Sequence, residues 1–202
     1  MSCAGMANAE GVTVAALGDS LTQGYGLPVN EGLVPQLQAW LDEQGADIHV
    51  LNAGVSGDTT AGGLARVAWT LTPDVDALIV ALGANDFLRG IDPKISRANL
   101  EGILDVAENA AVPVLLVGME VSNNYGPDYK ARFDAIYPEL ASDYDLLLYP
   151  VFFAGLLVDA NATTAREIYF QPDGLHPNAA GVRKIVEDLG PSVIELATQV
   201  DQ

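Results

Sequence analysis

Val12-Thr13-Val14-Ala15-Ala16-Leu17 runs straight into Gly18-Asp19-Ser20-Leu21, and this junction decides the fold. A run apolar at nearly every position predicts a strand covered on both faces, because a strand with one wet face alternates polar and apolar side chains. Four further runs read the same way: Ile48 to Ala53, Ala77 to Leu82, Val114 to Val117 and Leu146 to Tyr149. Amphipathic stretches between them predict helices over Leu33 to Gln44, Ala61 to Leu71, Ile95 to Ala110 and Asp128 to Ser142. A last helix is expected after His176, with Pro177 in its first turn. Pro73, Pro113 and Pro150 stand beside strands, where they end the preceding element. Strands alternating with helices are the rhythm of βαβ units, so the expected class is α/β. The architecture implied is a three-layer α/β/α domain on a flavodoxin-like, five-stranded parallel sheet.

Composition agrees with one globular domain and narrows its partners. Half of the 202 residues are hydrophobic and 18% are charged, which excludes the disordered class. Nine Lys and Arg face 27 Asp and Glu, a net charge of −18 that would repel nucleic acid and anionic membranes. The same acidity suits a solvated surface with no ligand meaning. Cys3 is the only cysteine, so no internal disulfide can form. No apolar run reaches the length of a membrane span, and stable membrane insertion is not expected. Ala7-Asn8-Ala9 reads like an A-x-A cleavage site, although no basic region precedes it. Residues 1–9 are therefore either the remnant of an export signal or a flexible start, with 10–202 forming the domain.

A doubly wound sheet binds ligands beyond the carboxyl ends of its strands, and the unusual residues follow the strands. Gly18-Asp19-Ser20-Leu21 follows the first, Asn52-Ala53-Gly54 the second, Gly83-Ala84-Asn85-Asp86 the third, and Asp173-Gly174-Leu175-His176-Pro177 lies beyond the fifth. A hydroxyl nucleophile such as Ser20 needs a base, and imidazole is the usual one. Of the two histidines, His49 lies in an apolar strand pattern and reads as structural, which leaves His176. Asp173, three residues earlier, is spaced to hold one ring nitrogen while the other meets Ser20. With a helix beginning at Pro177, the helix dipole would favour the neutral imidazole as the resting form. Gly54 offers a backbone N–H with no side chain in the way, Asn85 a neutral amide and Ser20 its own N–H, three donors for an oxyanion. Each feature has a plainer use alone: Gly54 as a tight turn, Asn85 as a cap, Asp173 and His176 as an ordinary loop pair. The G-x-S-x-G elbow is not met, since Thr22 stands where its second glycine would be.

Taken together, the four clusters resemble the sequence blocks of the GDSL, or SGNH, hydrolase family, whose name lists Ser, Gly, Asn and His. The resemblance runs from Val12 to about Leu189. Ser56-Gly57-Asp58-Thr59-Thr60 with Gly63-Leu64-Ala65-Arg66, then Asn85-Asp86-Phe87-Leu88-Arg89-Gly90, looks like the bacterial arylesterase, thioesterase and lysophospholipase branch. It implies the SGNH hydrolase fold and a serine esterase without cofactor or metal. Ser20, Asp173 and His176 would form the triad, Ser20, Gly54 and Asn85 the oxyanion donors, and a small-molecule ester the substrate. Aryl esters, short acyl esters, thioesters and lysophospholipids stay open as substrates, and a periplasmic or secreted location is implied, with a cytoplasmic one as the alternative. Phe87 is bulkier than the glycine expected there, and with Leu88 and Tyr125 it is a candidate substrate contact; simple packing is the alternative. A flavodoxin-like redox or non-catalytic binding module is the competing reading, although Gly18-Asp19-Ser20-Leu21 lacks the run of Ser, Thr and Gly donors a mononucleotide phosphate wants.

Overall fold

In the computed structural model, which describes residues 11–158 and 162–200, five parallel strands form one sheet in the order β2-β1-β3-β4-β5. They are β1 (Val12–Gly18), β2 (Ile48–Gly54), β3 (Ala77–Ala81), β4 (Val114–Val117) and β5 (Leu147–Tyr149). The order reverses at β1, which pairs on one side with β2 and on the other with β3. The register brings the ends of these three strands level: Gly18 lies opposite Gly54 and opposite Ala81. Such a switch point opens a crevice beyond the strand ends. The expectation for Ala7-Asn8-Ala9 and residues 1–9 falls outside the described residues.

The sheet interior follows from the apolar runs. Val14 to Leu17 and all of β3 are buried, as strands between two helical layers must be. β2 departs from the expectation of double cover: Ile48 and Val50 are buried while His49 and Leu51 are exposed, because β2 is an edge strand with one face in solvent. On one face α2 (Leu33–Glu43) packs against α9 (Ala179–Ala197); on the other, α3 (Thr60–Thr70) packs against α5 (Pro93–Asn109).

Two helix expectations need correction. The stretch Asp128 to Ser142 is not one helix but two, α6 (Pro127–Asp134) and α7 (Ile136–Asp143). Pro138 has no N–H to donate and its ring crowds the carbonyl four residues back, at Asp134, where the first helix stops. The last helix does not begin at Pro177. Asn178 is its cap, with Oδ1 accepting the N–H groups of Ala180 and Gly181 at 3.0 Å, while Pro177 forms an antiparallel bridge with Phe170. Three helices were not expected at all: α1 (Ser20–Gln23), α4 (Ala84–Leu88) and α8 (Ala162–Tyr169). The first two are a turn or so long, too short for apolar periodicity to reveal.

Candidate active site

Ser20 is the first residue of α1, directly beyond β1. Asp19 caps that helix, its Oδ1 accepting the Leu21 N–H at 2.9 Å. Its other oxygen, Oδ2, accepts Asn85 Nδ2 at 3.1 Å, so one buried carboxylate ties α1 to α4. Burial pushes the Asp19 carboxyl up to about 6, against the lowering effect of these two hydrogen bonds.

The imidazole of His176 comes from the loop beyond β5, 156 residues away, and its Nε2 lies 2.8 Å from Ser20 Oγ. Its Nδ1 lies 2.7 Å from Asp173 Oδ2. Asp173 Oδ1 accepts the N–H groups of Leu175 at 2.9 Å and His176 at 3.0 Å, so the short loop folds around its own carboxylate. Burial acts to raise the Asp173 carboxyl, but the hydrogen bonds from Leu175 and from the ring and N–H of His176 outweigh it and hold it down to about 2. A carboxylate that stays ionised can fix the ring tautomer, with Nδ1 carrying the proton and Nε2 free to accept one from Ser20.

The three expected oxyanion donors fare differently. Asn85 lines the cleft, and with one amide hydrogen directed to Asp19 it keeps a second. The Ser20 N–H has no acceptor among the described residues. The Gly54 N–H is taken by Asn52 Oδ1 at 2.9 Å, and Gly54 does not line the cleft. Its glycine is needed for another reason, since a Cβ there would meet the backbone N of Gln23 at 2.3 Å where β2 presses on α1. The glycine that reaches the cleft is Gly57, three residues on. No acceptor among the described residues takes its N–H, and its carbonyl accepts Arg89 Nη2 at 2.7 Å. Both glycines stand in one sequence block, and the loop's path past the strand end brings Gly57, not Gly54, to the cleft wall.

Arg66 gathers the strand ends beneath this loop. Its guanidinium donates to Gly18 O at 2.9 Å, to Ala53 O at 2.7 Å and to Asp58 Oδ2 at 2.7 Å. The five donors of a rigid fork suit this three-way contact, and Lys could not reproduce it.

The cleft around Ser20 has a volume of about 330 Å³ and is walled chiefly by apolar side chains. Phe87 and Leu88, two of the candidate substrate contacts, are in that wall. Tyr125 is not: it stands behind Phe87, edge-on at 5.7 Å and 82°, and buttresses that ring. Sequence reasoning missed Tyr25, Met119, Phe153 and Leu175, which also line the cleft, and Glu120, the one carboxylate in its wall among the described residues. Leu175 stands within the Asp173 to Pro177 block, while the others carry no local motif and join the cleft only in the fold. Among the described residues no group of three or more His, Cys, Asp and Glu side chains is placed to hold a metal ion.

A model of the GDSL-like Lipase/Acylhydrolase family matches residues 16–184. Esterase TesA of Pseudomonas aeruginosa is 36% identical over 182 residues, spanning 90% of this chain and 87% of that protein. Arylesterase of Vibrio mimicus is 33% identical over 196 residues, spanning 96% and 94%. The crystal structure of AlinE4, an SGNH-hydrolase family esterase, is 40% identical and superposes with a TM-score of 0.74, covering 92% of this chain and 96% of its own.

Proposed function

The chain belongs to the GDSL-like lipase/acylhydrolase family and is a serine ester hydrolase, and on that premise we propose that Ser20 carries the acyl group. Ser20 Oγ attacks the ester carbonyl as His176 Nε2 takes its proton, and Asp173 steadies the imidazolium that results. The oxyanion of the tetrahedral intermediate is received by the Ser20 N–H, the Gly57 N–H and Asn85 Nδ2. His176 returns the proton to the departing alcohol, and water, activated by the same ring, releases the acid. The observation that carries this reading is the unbroken relay of 2.8 Å and 2.7 Å from Ser20 through His176 to Asp173.

The substrate proposed is a neutral small-molecule ester with an apolar acyl group, because the cleft is mostly apolar and the carboxylate of Glu120 in its wall opposes an anion. Export from the cytoplasm is proposed on Ala7-Asn8-Ala9, with residues 10–202 as the catalytic domain. Among the described residues no helix is long and apolar enough to cross a membrane.

Ser20→Ala is expected to abolish turnover of p-nitrophenyl butyrate while leaving the thermal unfolding curve in place, and an aryl phosphonate should label the wild type at Ser20 only. Turnover by Ser20→Ala near the wild-type rate would end the assignment.

A further inference from the structure

Gln171 lies outside the triad, yet it holds the two segments that meet in it. Its backbone N–H donates to the carbonyl of His176 at 2.8 Å. Its side-chain Nε2 donates to the carbonyl of Pro177 at 3.0 Å and, across 146 residues of sequence, to the carbonyl of Tyr25 at 2.8 Å. The Tyr25 N–H in turn donates to the carbonyl of Ser20 at 3.1 Å. These bonds close a ring from Ser20 to Tyr25, to Gln171, to His176, and back to Ser20 through the 2.8 Å contact between Nε2 and Oγ. The Tyr25 ring completes the packing, 4.6 Å from the imidazole and tilted by 38°.

We propose that Gln171 is a positioning residue for the hydrolytic reaction, its side-chain amide latching the Tyr25 segment to the His176 loop so that Nε2 stays aligned with Ser20 Oγ. The inference rests on the reading of Ser20 and His176 as nucleophile and base. Both segments need such a latch. Asp173 is over a third exposed and Tyr25 half exposed, so apolar burial alone fixes neither. A side-chain amide suits the task because its two hydrogens can serve two carbonyls at once, one on each segment. The fit is close: a Cβ on Gly26, beside Tyr25, would stand 2.2 Å from Gln171 Oε1. Misalignment of a base by a fraction of an ångström slows proton transfer more than it weakens substrate binding, so the latch should act on kcat.

The test compares wild type, Gln171→Met, Gln171→Glu and Ser20→Ala with p-nitrophenyl butyrate, alongside thermal unfolding and the low-field proton resonance of His176 Nδ1–H. Gln171→Met keeps the length and removes both side-chain bonds. It is expected to lower kcat about tenfold, or about 1.4 kcal/mol, with KM within about twofold. The Nδ1–H signal should exchange faster with water in the variant. A kcat within about twofold of wild type, a loss confined to KM, or an unchanged resonance would overturn the proposal. Should Gln171→Met fail to fold, Gln171→Glu, equally long but without the Nε2 hydrogens, is judged by the same criteria. A silent Ser20→Ala beside a fully active Gln171 variant would remove the latch alone, whereas an active Ser20→Ala would remove the triad beneath it.

Discussion

Asp19 does two jobs with one carboxylate, capping the helix that carries Ser20 and holding the amide of Asn85. It is fully buried, and its carboxyl is raised from 3.8 to about 6. A group raised in the folded state binds protons more tightly there than in the unfolded chain. Its contribution to stability is therefore complete below about 3.8 and lost as pH rises through about 6. In Asp19→Asn this dependence is absent. The stability of wild type relative to the variant is expected to fall by up to about 3 kcal/mol between pH 4 and pH 7 and then level off. Urea unfolding of both proteins across that range measures it, and a difference that does not change with pH would contradict it. Asp173 shows the opposite sign: held at about 2, its contribution is present above 3.8 and is lost only as pH falls toward 2. At neutral pH the carboxylate that orients His176 therefore stays charged while the one beneath Ser20 approaches its titration.

At the scale of elements, the site depends on two short helices that stand at strand ends and are locked from behind. α4 springs from Gly83 at φ +127°, where a Cβ would meet the Tyr137 hydroxyl at 2.1 Å. Asp86, buried in the same helix, accepts the Thr60 N–H at 2.8 Å, the Thr60 hydroxyl at 2.5 Å and the Ser96 hydroxyl at 3.0 Å. One carboxylate thus pins α4 to the start of α3 and to α5. Asp86→Ala would leave the Thr60 and Ser96 donors buried without an acceptor, and a loss of about 3 kcal/mol in unfolding free energy is expected. Chemical denaturation reads it directly, and a change below about 1 kcal/mol would show that the network bears little weight. Because α4 carries Asn85, kcat of the folded variant should fall as well.

At the scale of the whole molecule, a net charge of −18 surrounds a cleft that contains Glu120. Both repel an anionic ester on its approach, and dissolved salt screens that repulsion over about 8 Å at 0.15 M. For two esters with the same acyl group, one neutral and one with a carboxylate on its leaving group, kcat/KM should favour the neutral one at low salt. The gap should narrow several-fold by 0.5 M salt, and Glu120→Gln should narrow it further at low salt. A ratio indifferent to both changes would show that charge does not select the substrate.

The sequence by itself determined the five strands to within a residue at each end and the alternation that makes their sheet parallel, because burial on both faces leaves a continuous apolar run in the chain. It also singled out Ser20, Asn85 and His176, polar residues beyond strand ends that the fold brings to one cleft, and Asp173, which holds the His176 ring from outside it. The break at Ala135 has a local signal in Pro138, which the apolar periodicity of Asp128 to Ser142 does not register. What only the tertiary structure decided is which groups face the cleft: Gly57 rather than Gly54, Phe87 rather than the Tyr125 behind it, and the Gln171 amide that joins Tyr25 to His176. Periodicity reports which face of an element meets the core, with a tolerance of a residue. A hydrogen bond between segments more than a hundred residues apart needs placement to a few tenths of an ångström, and only the packing of the sheet and its helices supplies that.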